Sequence, residues 1–347
     1  FDCSPAPMAV KRSANTDADP TFLHLPECDA TEVTSEGRSD SDVDDMDLGC
    51  SASFNQNPGK DVNDANDDDS DGGSESHKTK ELLASFDSVF TLFREVNPYL
   101  KSGFRRPNMS WKCAVESVTQ IHNETVNIWL HLIAGFYHTY LYFYEPYHPT
   151  MMIAIICGAI CFYLSAAYHT FRYMSSSMFE FFLKVDHFGC AVFVAGSNFT
   201  WLSLIYACQP DLRFAYQAAI VFSASLVLIV PNLPLDFRVT LASTLGYKLY
   251  DLAEPFLILT AWASIVGVFH HLYLRGMDQL AVDVAWESVM YIIGFFFFIV
   301  KVPERVFPRF FDIWGNSHQM WHLCIFVSDV YHVNRLRHYC WEWNADC

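Results

Sequence analysis

Histidine recurs at i and i+4 in Ser317-His318-Gln319-Met320-Trp321-His322. On a helix this spacing stacks two imidazoles on one face, and neutral imidazole nitrogens suit Zn2+. A second pair with the same spacing, Ser165 and His169, closes an earlier apolar stretch, and Asp186 opens the next one. In a bundle whose spans alternate in direction these three places reach one membrane face, so Ser165, His169, Asp186, His318 and His322 converge. Three histidines leave a fourth ligand position open, as in a catalytic zinc site. Zinc acidifies a bound water to a pKa of about 7 and polarises a carbonyl. Asp186 is then the candidate general base that holds the water, and Ser165 the candidate donor to a developing oxyanion. The alternative is a set of interfacial histidines hydrogen-bonded to backbone. Ionisable side chains inside spans are costly and usually functional, which favours the metal.

The elements that must position these residues are legible in the composition. Of 347 residues, 52% are hydrophobic and 16% aromatic, and from residue 127 onward the apolar ones come in blocks about as long as a bilayer is thick. Seven blocks are expected to span, at 127–144, 150–171, 187–207, 213–230, 252–274, 282–301 and 317–334, with 231–251 as the longest loop. The predicted fold is all-α: a polytopic seven-transmembrane helix bundle over 123–340, preceded by a disordered acidic tail. Residues 81–122 are expected to form a cytosolic juxtamembrane segment beginning with an amphipathic helix at 81–96. Residues 341–347 form a short extracellular tail.

The net charge of -17 belongs mostly to residues 1–80, which hold 19 acidic and 6 basic side chains. Runs such as Asp67-Asp68-Asp69 bury nothing and repel one another, so this stretch reads as disordered; a docking role for a basic cytosolic partner is the sharper alternative. Nothing in the charge balance suggests nucleic-acid binding. The opening residues lack an apolar leader core, which points to a cytosolic tail. Lys and Arg flanking the spans agree, about 11 on the tail's side against about 4 opposite, placing the amino terminus in the cytosol and the carboxyl terminus outside. That orientation is opposite to a rhodopsin-type receptor, and the Asp-Arg-Tyr and Asn-Pro-x-x-Tyr signatures are missing. It also predicts that the sequons at Asn108, Asn123 and Asn198 carry no glycan. Cys157, Cys161, Cys190 and Cys324 read as buried free thiols, while Cys208, Cys340 and Cys347 share the outer side, where a disulfide can form. Asp329 is expected to bond at the outer edge, His131 to bond a neighbour, and Glu304, Arg305, Pro308 and Asp312 to brace the loop beneath the site.

Several blocks carry a family resemblance: Tyr99 with Gly103-Phe104-Arg105, His122-Asn123-Glu124-Thr125-Val126-Asn127, Ser165 with Tyr168-His169, Asp186, Val302-Pro303-Glu304-Arg305, and Phe311-Asp312-Ile313-Trp314-Gly315-Asn316-Ser317-His318-Gln319 with His322. Over about 97–334 the sequence resembles the progestin and adipoQ receptor family, which includes the adiponectin receptors and bacterial hemolysin-III-like proteins. The resemblance implies a zinc ion bound at His169, His318 and His322, with a water held by Asp186. It also implies hydrolysis of a lipid amide, with ceramide favoured, coupled to an extracellular hormone, and residence in the plasma membrane or the Golgi and endomembranes. Other branches imply a steroid receptor with structural zinc, or a scaffold for signalling proteins. His187 beside Asp186 and Arg309 after Pro308 depart from the family pattern; neither removes a ligand.

Overall fold

The computed structural model describes residues 97–341 and the two-residue strand Leu83–Ala84. The acidic tail and residues 342–347 lie outside the described residues. So does most of the expected amphipathic helix at 81–96, but its described part is a strand, β1 (Leu83–Ala84), paired antiparallel with β2 (Phe104–Arg105). Backbone pairing with the chain after Gly103 wins there over helical periodicity.

A short helix α1 (Trp111–Glu116) follows, started by Ser110, whose hydroxyl accepts from the Cys113 N–H. Then come α2 (Thr125–Tyr144), α3 (Pro149–Phe171), α4 (Ser176–Ile205), α5 (Pro210–Ile229), α6 (Leu235–Leu245), α7 (Glu254–Arg275), α8 (Gln279–Val300) and α9 (Ser317–Trp341). The starts follow local chemistry. Pro149 and Pro210 sit in the first turns of α3 and α5, where a missing N–H costs nothing. Ser175 and Asp278 cap α4 and α8. Gly246 ends α6 in the left-handed conformation.

Among the described residues five helices, α3, α4, α5, α7 and α8, are long and apolar enough to cross a membrane. The first and last of the seven expected spans, α2 and α9, are long but less apolar. Their polar load faces inward: His131 and His138 on α2, and His322, Asp329 and His332 on α9, are all buried. Two boundaries differ from expectation. The loop at 231–251 contains α6. Helix α4 begins eleven residues before the predicted span, because the Ser175 cap sets its start upstream of the apolar block; Asp186 therefore lies inside a helix and not at its entrance.

Helix α9 packs against α2, α3 and α8, while α3 packs on both α2 and α4, and α5 and α7 close against α4. Close approach of α2 and α3 depends on Gly158, where a Cβ would fall 2.2 Å from the His138 ring. Between α8 and α9 the chain is pinned by buried acids, as expected of the loop. Glu304 accepts from Asn97 Nδ2 at 2.9 Å and from the Ser317 N–H at 2.8 Å, and the Ser317 hydroxyl also donates to it. Asp312 accepts from the Lys101 N–H and the Ser102 hydroxyl. The start of α9, and with it His318, is thus fixed to the residues ahead of α1.

Cys157, Cys161, Cys190 and Cys324 are free thiols, and so is Cys340, whereas Cys113 and Cys208 each take part in a separate disulfide.

Candidate metal centre

Four imidazoles meet where α2, α3 and α9 converge. His131 comes from α2, His169 from the last turn of α3, and His318 and His322 from the first two turns of α9. His131, His169 and His322 form a buried trio whose candidate ligand nitrogens all lie within 4.8 Å of one another. The His318 ring packs against His322 and His169, with centroids 4.3 and 5.2 Å away.

The facing nitrogens carry the chemistry. His169 Nε2 and His322 Nε2 approach to 3.1 Å. His169 Nδ1 lies 2.8 Å from Glu124 Oε2; facing a carboxylate, Nδ1 carries the proton and Nε2 presents a lone pair. This is the carboxylate–histidine arrangement that fixes the tautomer of a metal ligand. His322 Nδ1 lies 3.0 Å from His131 Nε2, which also lies 3.1 Å from Ser165 Oγ. His318 Nε2 is buried with no hydrogen-bond partner, as is His131 Nδ1. Buried orphan nitrogens are rare and call for a ligand. Two nitrogens on a tetrahedral zinc with bonds of about 2.0–2.1 Å stand about 3.3 Å apart, close to the observed separation. The residues present therefore fit a metal.

Neighbouring groups hold these rings in place. Burial alone would raise the Glu124 carboxyl, but Arg172 and the His169 hydrogen bond outweigh it and keep the group ionised, well below the ordinary carboxylate range. Asn127 Nδ2 donates to the same oxygen as His169 does, at 2.7 Å, and Arg172 reaches the other oxygen at 3.2 Å. Arg105, fully buried, donates to the free carbonyls of His169 and Thr170 at the end of α3 and to Ser117 Oγ. It closes the helix end that aims His169. Burial pushes Arg105 down to about 10, so it stays charged near neutrality. A cavity of about 50 Å³ opens beside His318, bounded also by Glu124, Arg172, Tyr168 and Lys301. At about 10–15 Å³ per water it has room for a few waters.

Of the residues singled out from the sequence, His169 and His322 meet in the trio and His318 stands against both. Ser165 reaches the cluster through His131. Asp186 shows no contact to the histidines; its Oδ1 is buried without a hydrogen-bond partner. His131 is the trio member that sequence reading left as a bonded neighbour. Its signal was its position, one helical face and two turns beyond Glu124. Glu124 occupies the N-cap position of α2, yet its side chain makes no cap bond and turns to His169 instead.

Residues 119–333 match the family described as haemolysin-III related. Among individual relatives, the adiponectin receptor protein of Drosophila melanogaster is 29% identical, covering 69% of this chain and 55% of its own length. Heptahelical transmembrane protein 1 of Arabidopsis thaliana is 26% identical over 76% of this chain and 87% of its own. Membrane progestin receptor alpha of Cynoscion nebulosus is 25% identical over 71% and 73%. The chain spans little more than half the length of several curated relatives that it matches, the Drosophila protein among them. With the match running from ahead of α2 into α9 and enclosing all four histidines, the chain belongs to the haemolysin-III-related family of progestin and adipoQ receptors.

Proposed function

We propose that this protein is a seven-span membrane receptor with a zinc site at His169, His318 and His322 and hydrolase activity on a lipid amide of the ceramide type. The observation that carries the reading is the pair of Nε2 atoms 3.1 Å apart, with the Nε2 of His318 unpartnered beside them. In the trio of closest nitrogens His131 replaces His318. His131 Nε2, however, is already engaged by Ser165 and by His322 Nδ1, so His131 serves better to orient His322 than to bind metal.

A zinc ion held there would supply a Lewis acid and an acidified water. The chain's own residues would do the rest. Glu124 keeps the His169 proton on Nδ1. Ser165 and His131 hold the His322 ring. Asp186, whose Oδ1 lacks a partner, takes and returns a proton during amide cleavage. The receptor role rests on relatives named as adiponectin and progestin receptors, and the seven-span count on α2 and α9 crossing with the five apolar helices. Their buried polar faces make that crossing feasible.

A second reading, a zinc that only clips α3 to α9, draws on the cavity beside His318, which admits waters but not an acyl chain. Elemental analysis and ceramide turnover on purified protein separate the two. Hydrolase function requires about one zinc per chain, lost in His318→Ala, and fatty-acid release lost in Asp186→Ala with zinc retained. Zinc without turnover supports the clip. Zinc retained in His318→Ala but lost in His131→Ala assigns the third ligand to His131.

A further inference from the structure

Beyond the histidine centre, toward the opposite end of the bundle, two buried histidine–carboxylate pairs are stacked along α9. In the first, His138 Nε2 lies 2.8 Å from Asp329 Oδ2 and His138 Nδ1 lies 3.0 Å from the Ile155 carbonyl. A carbonyl only accepts, so Nδ1 carries a hydrogen. One further proton then lies between Nε2 and Oδ2, and the pair is uncharged overall whichever atom holds it. In the second, His332 Nδ1 lies 2.9 Å from Glu287 Oε2 and His332 Nε2 lies 2.9 Å from Thr200 Oγ1. Glu287 also accepts from Ser197 Oγ and Trp201 Nε1. Three donors favour its ionised form, which leaves the proton on His332. All four ionisable groups are at most 3% exposed.

The pairs are neighbours. Asp329 and His332 stand one turn apart on α9, where side chains three residues apart share a face, the Ser328 hydroxyl donates to the Glu287 carbonyl at 3.3 Å, and Tyr291 packs close by against Phe162. One turn farther along both helices, Asp283 binds Arg335, Tyr331 and Tyr339, and Arg335 is seventeen residues from His318, about 25 Å along α9. On the other side the chain of polar groups stops. Phe162, 1% exposed, has its ring centroid 5.5 Å from that of His138 and 5.8 Å from that of His131. The remaining titratable neighbours of the first pair are Tyr137 and the Cys161 thiol. The position is built for the ring: only a glycine at 158 leaves room for His138.

We infer that His138–Asp329 and Glu287–His332, neighbours one turn apart on α9, form a proton-binding relay that exchanges with the membrane face at Asp283 and Arg335 and is closed toward the histidine centre by Phe162. Polar groups this deep in a span are expensive unless they do work, and an isolated structural bond would not need a second pair one turn away. Each hop breaks one N–H or O–H bond and forms another, and a proton that enters from the membrane face is matched by one that leaves to it, so each pair regains its starting charge and nothing is consumed.

The test is infrared difference spectroscopy on the full chain in lipid nanodiscs, switched from H2O to D2O at fixed pH. A protonated-carboxyl stretch that shifts in D2O within the mixing time and vanishes in Asp329→Asn is expected. In Glu287→Gln, and in the near-isosteric Thr200→Val as a folding-safe companion, the band should persist but exchange at least about tenfold more slowly. Exchange that takes hours in the intact chain would overturn the relay, leaving a static pair. Exchange equally fast in the intact chain, Glu287→Gln and Thr200→Val would remove Glu287–His332 from it. Absence of both a carboxyl band sensitive to Asp329→Asn and an imidazolium band sensitive to His138→Gln would refute the shared proton itself.

Discussion

Glu124 does at a single residue what is usually spread over several, because its two oxygens serve His169, Asn127 and Arg172 at once. Glu124→Gln keeps the shape but removes the charge that holds the His169 proton on Nδ1. Loss of such a partner lowers metal affinity about 10–100-fold, so competition with a graded chelator should strip zinc from the variant first, with helix content unchanged. His122 makes a different prediction. Its Nε2 donates to the Ser117 carbonyl at 3.0 Å and its Nδ1 accepts the Glu124 N–H at 3.1 Å; a second proton would set a donor against a donor. Burial, reinforced by Arg105, pushes His122 down to about 3. The unfolded chain, with an ordinary histidine near 6.5, therefore binds the proton first. Stability from this group is complete above about pH 6.5 and is lost as pH falls from there toward 3, by up to about 1.4 kcal/mol per pH unit. Melting temperature in detergent at pH 7 and pH 5 should fall less in His122→Gln than in the intact chain. An equal fall in both would show that His122 is protonated in the folded state.

At the scale of elements, the seam between α2 and α3 is set by side-chain size. A methyl at residue 158 would overlap the His138 ring, and overpacking a tight seam costs about 1–3 kcal/mol. Gly158→Ala should lower the melting temperature, whereas Gly246→Ala, with open space around its Cβ but a left-handed backbone, should act only through the end of α6. The end of α3 is set instead by charge. Arg105→Lys retains the cation but loses the fork that reaches Ser117, His169 and Thr170 together. Zinc occupancy should drop while the protein stays folded, read by elemental analysis alongside circular dichroism; undiminished occupancy would separate the Arg105 clamp from the aim of His169.

For the whole molecule, metal binding and fold stability are linked. If zinc joins α3 to α9, its removal by a chelator should lower the melting temperature of the intact chain, by an amount that grows with zinc concentration as mass action requires, and leave His318→Ala unmoved. The helical class, the long apolar blocks and the partner histidines at 169, 318 and 322 were all legible in the sequence, because periodicity and i, i+4 spacing are local properties of the chain. Boundaries were less so: α4 starts at a serine cap upstream of its apolar block, and α6 lies in what composition marks as a loop. Helices α2 and α9, expected as spans from the sequence, are less apolar than the other five, and what the structure adds is that their His131, His138, Asp329 and His332 are buried. What the sequence determined by itself was which residues are able to ligate and which segments are helical. What only the tertiary structure decided was partnership: that Glu124 faces His169 across 45 positions, that His131 meets His322 across 191, and that His138 finds Asp329 at the same remove. Such pairings depend on how helices cross and rotate against one another, and that is set by packing over the whole bundle rather than by any stretch of it.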